Sequence, residues 1–146
     1  MFEVAADIWS YLDGAVIAIT TNGTVTPAGR AVFGRGVARQ AAERFPGLAE
    51  IMGRLLLDQG NHVLYLGCGI VSFPVEETPW SLPDLRMIAR SARELRELTD
   101  SSGWQRVVVP RPGCGGGGLA WEDVRPLLDA CFDDRFIVTS QPDRNN

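Results

Sequence analysis

Apolar residues in this chain fall into short β-branched runs separated by stretches of helical periodicity. Ala15-Val16-Ile17-Ala18-Ile19-Thr20 is one such run and predicts a buried strand, which Thr21-Asn22-Gly23 ends. A loop to Gly36 follows. Val37 to Phe45 then reads as a helix with Val37, Ala41 and Phe45 on one face, broken by Pro46-Gly47. Leu48 to Gln59 reads as a second helix, with Ile51, Met52 and Leu55 inward and Gly60 as its stop.

Val63–Leu66 and Gly69–Phe73 predict two strands around Gly67-Cys68, with Pro74 ending the second. Ser81-Leu82-Pro83-Asp84 has the spacing of a helix N-terminal cap. Leu85, Ile88, Ala92, Leu95 and Leu98 then recur every three to four residues, the pattern of a long amphipathic helix. Its charged side, Arg86, Arg90, Arg93, Glu94, Arg96 and Glu97, reads as a solvated face. Arg106–Pro110 predicts a strand, Asp123 to Phe132 a helix with Pro126 in its first turn, and Phe136–Ser140 a last strand. Strands alternating with helices imply an α/β fold around a mixed sheet. Gln141 to Asn146 reads as a loose tail.

With 146 residues the chain has the length of one domain. Its 45% hydrophobic and 22% charged content is that of a soluble globular protein. No apolar run approaches the ~20 residues of a membrane helix. Met1-Phe2-Glu3-Val4 lacks the basic start and apolar stretch of a signal peptide, so the expected location is the cytoplasm. The net charge of −4 argues against non-specific nucleic-acid binding. Cys68, Cys114 and Cys131 are odd in number and lack metal-site spacing. His62, the only histidine, reads as a loop residue, and no metal or cofactor is expected.

Two glycine-rich stretches carry the chemistry. Gly34-Arg35-Gly36-Val37 and Gly113-Cys114-Gly115-Gly116-Gly117-Gly118 each lead from a strand into a helix. Glycine lets backbone approach a ligand, and a helix start offers unpaired N–H groups at the positive end of the dipole. Two such cradles point to a ligand with two adjacent phosphates. Gly113, Gly115 and Gly118 satisfy G-x-G-x-x-G. A dinucleotide fingerprint, however, belongs in the first strand–helix unit, with an acidic residue ending the next strand. Here the following strand ends in Thr139-Ser140, and no Gly-Lys-Ser/Thr occurs.

In their order these features resemble the macro domain, the ADP-ribose-binding fold, over about Val4 to Ser140. The matching features are Ala6-Asp7-Ile8, Thr21-Asn22 after a strand, Gly34-Arg35-Gly36-Val37-Ala38 opening a helix, and Phe73-Pro74. The last is Pro112-Gly113-Cys114-Gly115-Gly116-Gly117-Gly118-Leu119-Ala120-Trp121. The branch is similar to the one holding terminal ADP-ribose glycohydrolases and the antitoxins that strip ADP-ribose from DNA. The resemblance implies a single three-layer α/β/α domain and, by role, a set of site residues. Asp7 would accept the adenine amino group, with the Ile8 N–H beside it. Gly34, Arg35, Gly36 and Val37 would line one side of the diphosphate. Gly113, Cys114, Gly115, Gly116, Gly117, Gly118 and Leu119 would line the other. Thr21 and Asn22 would face the distal ribose, while Phe73, Pro74 and Trp80 wall the ligand.

Some members carry an aspartate where Gly117 stands and a lysine just after Phe-Pro. The stretch Phe73-Pro74-Val75-Glu76-Glu77-Thr78-Pro79-Trp80 has no lysine, so a covalent lysyl route is closed. The implied activity is hydrolysis of the bond between ADP-ribose and a protein or DNA acceptor, by a monomer. Thr21 and Asn22 would hold the ribose, with Glu76 (or Glu77) as general base. The alternatives are a non-catalytic ADP-ribose reader, and a phosphatase or deacetylase acting on ADP-ribose derivatives.

Overall fold

The computed structural model describes residues 1–142; residues 143–146, most of the expected tail, lie outside the described residues. Six strands form one sheet: β1 (Phe2–Ala5), β2 (Val16–Thr21), β3 (Tyr65–Gly67), β4 (Ile70–Pro74), β5 (Val107–Pro110) and β6 (Phe136–Ser140). Their order across the sheet is β1-β6-β5-β2-β4-β3. All pairs are parallel except β3–β4, an antiparallel hairpin through Cys68, so the sheet is mixed.

Four helices cover the sheet: α1 (Val37–Arg44), α2 (Leu48–Gln59), α3 (Leu85–Ser102) and α4 (Trp121–Asp129). The strand period of two divides the core into two halves. Ile17, Ile19 and Val108 pack on Ala41, Leu48, Met52 and Leu56 of α1 and α2. Ala18, Val107 and Val109 pack on Ile88, Ala92, Leu95, Val124 and Leu128 of α3 and α4. The architecture is therefore α/β/α, with the chain crossing from one face to the other between β2 and β5.

Several elements differ from the sequence expectation. β1 has no apolar run to mark it, because it is an edge strand with three of four residues exposed. β3 holds only Tyr65–Gly67, not Val63–Leu66, because the hairpin is bulged between Tyr65 and Gly67. Asp84, not Ser81, caps α3, accepting from Arg86 N at 2.8 Å. Ser81 instead belongs to a turn closed by Thr78. α4 begins at Trp121 and puts Pro126 sixth in the helix. That position is on the exposed side of the helix, so the carbonyl that the missing N–H leaves free is not buried in the core.

The inward side of α2 is Leu48, Met52 and Leu56, with Ile51 and Leu55 half-buried; in α3, Leu85 is exposed while Met87, Ser91 and Thr99 are buried. The charged side of α3 is also not simply solvated. Arg90 donates to the Asn61 carbonyl, Glu94 accepts from Val63 N at 2.9 Å, and Arg96 donates to the Cys131 carbonyl at 2.9 Å. No helix among the described residues is long and apolar enough to cross a membrane.

Candidate functional site

Because β1, β2, β4, β5 and β6 run parallel, their carboxyl ends share one edge. Four segments emerge there: Ala6-Asp7, Asn22 to Gly36, Val75 to Asp84, and Arg111 to Ala120. Neighbours β2 and β5 send their connections to opposite faces, to α1 and to α4. Such a switch point leaves a crevice at the strand ends, where α/β proteins bind ligands.

The first loop is built by Asn22. Its Nδ2 donates to Val32 O at 2.9 Å, and its Oδ1 accepts from Thr24 N at 3.0 Å. Asn22 is only 2% exposed. Thr21 is also buried, and its hydroxyl has no partner among the described residues. The turn before Ala31 docks on α2 where Gly53 leaves room: a Cβ there would lie 2.0 Å from Gly29 O. Beyond Phe33 the chain emerges, and Gly34, Arg35 and Gly36 are exposed. Gly36 caps α1 with φ 70°, which only glycine adopts without strain. The N–H groups of residues 34–37 have no acceptor among the described residues. Arg35 has no carboxylate partner among them either, leaving its charge available to an anion. A hollow of about 500 Å³ lined by Arg30, Phe33, Gly34, Arg35, Arg39 and Glu43 borders this loop, but includes no residue of the second.

The second loop is fixed at its base. The Arg111 guanidinium stacks 4.7 Å over the Trp121 ring, and Trp121 Nε1 donates to Glu3 Oε1 at 2.9 Å. Arg125 donates to the other Glu3 oxygen at 2.6 Å. That bond is the main cause holding the Glu3 carboxyl below its ordinary pKa, against a smaller upward effect of burial. Inside the loop, Leu119 N donates to Gly113 O at 2.9 Å and Gly118 N to Gly115 O at 3.4 Å. The N–H groups of Gly115, Gly116 and Gly117 remain without acceptors among the described residues.

The loop glycines are of two kinds. A Cβ on Gly117 would lie 2.5 Å from Pro83 Cγ and 2.7 Å from Gly113 O, and one on Gly113 would lie 2.8 Å from Leu119 Cδ1. Packing requires glycine at both. The aspartate that some macro domains carry at the Gly117 position therefore has no room here. At Gly34, Gly115 and Gly116 a Cβ would meet nothing within 4 Å, and φ lies outside the left-handed region. The fold does not demand glycine at these three positions; the space in front of them is open.

The remaining residues divide clearly. Asp7 is exposed and caps a short 3-10 helix, Ile8–Tyr11, accepting from Trp9 N through Oδ1 at 3.0 Å. Its Oδ2 and the Ile8 N–H have no partner among the described residues. Trp9 Nε1 donates to Gln40 Oε1 at 2.7 Å, tying this helix to α1. Phe73 is fully buried in the core and Pro74 is buried as well, so neither forms a wall for a ligand. Cys114 donates to Pro112 O and packs on the core, and burial pushes its thiol pKa up; it is a packing residue. Trp80 is 83% exposed. Glu76 is half-buried, and burial alone raises its carboxyl pKa. Among the described residues no cluster of His, Cys, Asp and Glu could hold a metal.

Sequence reasoning missed the fasteners: Glu3, Asn61 and Pro83. Their partners are distant in the chain, and only the glycines that accommodate two of them, Gly23 for Asn61 and Gly117 for Pro83, offered a signal.

A three-layer α/β/α sheet with two glycine loops at its switch point is the macrodomain fold, and solved macrodomains superpose on this chain over nearly its whole length. It is similar to the macrodomain of Mycobacterium tuberculosis DarG at 22% identity and a TM-score of 0.77, covering 98% of this chain and 100% of that one. The macrodomain of Thermus aquaticus DarG gives 18% and 0.75, covering 97% of each chain. Thermosipho africanus DarTG, solved in complex with ADP-ribose, gives 17% and 0.69, covering 89% of this chain and 38% of that one. No protein-family model matches the chain, and no curated protein matches it by sequence.

Proposed function

We propose that this chain binds ADP-ribose across the carboxyl edge of its sheet and hydrolyses the bond from the distal ribose C1″ to a protein or DNA acceptor. The observation that carries the binding is the set of glycines at 34, 115 and 116, which neither packing nor backbone conformation requires. Around them stand seven N–H groups, from residues 34–37 and 115–117, and the Arg35 charge, all without partners among the described residues. Such donors suit a diphosphate. The complex of Thermosipho DarTG with ADP-ribose, in a chain sharing this fold, supports the same ligand. Asp7 then takes the adenine amino group on its free Oδ2, with the Ile8 N–H alongside.

The sequence contains no lysine at all, so hydrolysis proceeds by direct attack of water. The C1″–acceptor bond breaks as oxocarbenium character develops, the water oxygen bonds to C1″, and its proton passes to Glu76. The acceptor leaves with a proton from solvent. Glu76 suits a base because burial raises its pKa above the ordinary carboxylate value. The protein acts as a cytoplasmic monomer in this reading.

A reader without turnover is the second reading. It is favoured by Asn22, whose buried amide is bonded to Val32 and Thr24, and by Thr21, whose hydroxyl is buried out of reach of a ribose. Calorimetry with ADP-ribose, followed by release assays on glutamate-linked, serine-linked and DNA-linked ADP-ribose, separates the two. The hydrolase reading expects release from at least one substrate, and its loss in Glu76→Gln with ADP-ribose affinity kept. Binding without release from any of the three leaves the reader.

A further inference from the structure

The loop that carries Glu76 is held from below by a residue outside the site. Asn61, in the turn between α2 and β3, points its amide at this loop: Nδ2 lies 3.2 Å from Glu76 O and 3.4 Å from Glu77 Oε2. Turned the other way, the amide would set its oxygen against those two acceptors, so Nδ2 faces them. The Asn61 backbone is pinned in turn, since its carbonyl accepts from Arg90 of α3, and Arg90 lies 3.6 Å from Glu94. Glu94 also holds His62 at 2.8 Å and Val63 N at 2.9 Å. The turn is thus fastened to the longest helix of the protein.

Gly23, two residues after β2, completes the seat. Its N–H donates to Glu77 O at 2.9 Å, and a Cβ there would lie 2.9 Å from Asn61 Cγ. Gly23 carries no left-handed φ. Its lack of a side chain serves contact with Asn61 rather than backbone freedom. At the far end of the same loop, Pro83 packs against Gly113 and Gly117 of the second glycine loop. Asn61 therefore sits where the loops after β2 and β4 meet, and the second of these abuts the loop after β5.

We propose that Asn61 is a positioning residue for the hydrolysis: it clamps the loop after β4 between α3 and Gly23, and so presents Glu76 at the carboxyl edge. This rests on the hydrolase reading above. Asn61 acts through Glu76 in this reading and not on the ligand itself. The other charged groups on and under this loop are Glu77, Asp84 and Arg90. None of them contributes to the raised pKa of Glu76, which burial alone produces.

The test uses Asn61→Ala, Asn61→Leu, which keeps the approximate size but loses the donor without adding charge, and Gly23→Ala, which displaces the Asn61 side chain from above. Three readouts are taken. Amide hydrogen exchange at Gly23 reports its bond to Glu77 O and is expected to speed up at least about tenfold on loss of the clamp. Affinity for ADP-ribose is expected to stay at the wild-type value while kcat falls about ten- to hundredfold, the cost of a misplaced group. The acid limb of the kcat profile is expected to move to lower pH, because a released Glu76 becomes solvated and its pKa falls back. Partial unfolding would lower the plateau without moving that limb. The proposal is overturned if a folded variant keeps Gly23 protection, or keeps kcat and limb position, while the wild type turns over. A wild type that binds ADP-ribose and releases none refutes the hydrolase reading instead, a distinct result.

Discussion

Replacing Gly116 by valine separates the two reasons a loop uses glycine. Nothing lies within 4 Å of a Cβ at this position and φ is outside the left-handed region, so the folded loop accepts the side chain. Valine also restricts the unfolded chain, a gain of about 0.4–1 kcal/mol. For a chain of this size that raises Tm by about 1–3 °C. The added methyl groups occupy the space before the free N–H groups of Gly115, Gly116 and Gly117. A hydrogen bond to a charged oxygen contributes about 1.5–3 kcal/mol. Losing even one weakens ADP-ribose binding by about ten- to hundredfold in Kd. Gly117→Val is the control. Its Cβ would press on Pro83 Cγ and Gly113 O, and overpacking of this kind costs about 1–3 kcal/mol. The matching fall in Tm is about 3–10 °C. Scanning calorimetry and isothermal titration on the same preparations read both quantities. A Gly116→Val variant that binds ADP-ribose like the wild type refutes the reasoning, as does one that melts like Gly117→Val.

Asp7→Asn keeps a good helix cap but replaces an acceptor-only group, so ADP-ribose affinity should fall about tenfold with Tm unchanged, read by the same two methods. Gly53→Ala drives a Cβ into Gly29 O and should destabilise the fold by about 1–3 kcal/mol in urea unfolding. Asp133 is held down to a pKa of about 2, chiefly by its hydrogen bond from Arg135. Its contribution is present above the ordinary value of 3.8 and is lost as pH falls through about 2. Asp133→Asn should therefore be less stable than the wild type at pH 7, by under about 1 kcal/mol for so exposed a pair, with the difference vanishing as pH approaches 2.

The parts of the molecule set by local pattern were legible in the residues. Leu48–Gln59 and Phe136–Ser140 appear with the expected bounds, because Pro46-Gly47 and Gly60 punctuate one and β-branched residues define the other. The two glycine loops were legible as loops between strand and helix. The part each glycine plays was not, since Gly117 and Gly116 look alike until Pro83 is placed 2.5 Å from where a Cβ of Gly117 would sit. Phe73 illustrates the converse. A Phe-Pro pair at a strand end reads as a site wall, yet the strand's alternation turns Phe73 into the core between the sheet and α3. Glu3 and β1 escaped notice because an exposed edge strand leaves no apolar signature, and its salt bridge to Arg125 spans 122 positions.

In the proposed reading the two glycine loops together hold one diphosphate through backbone N–H groups. Titrating the ¹⁵N-labelled protein with ADP-ribose and following its amide resonances tests it most directly. Saturable shifts are expected, concentrated at residues 34–37 and 115–117, with Ile8 moving as the adenine docks. Saturation with shifts confined to one loop, or no shift at either, would contradict it.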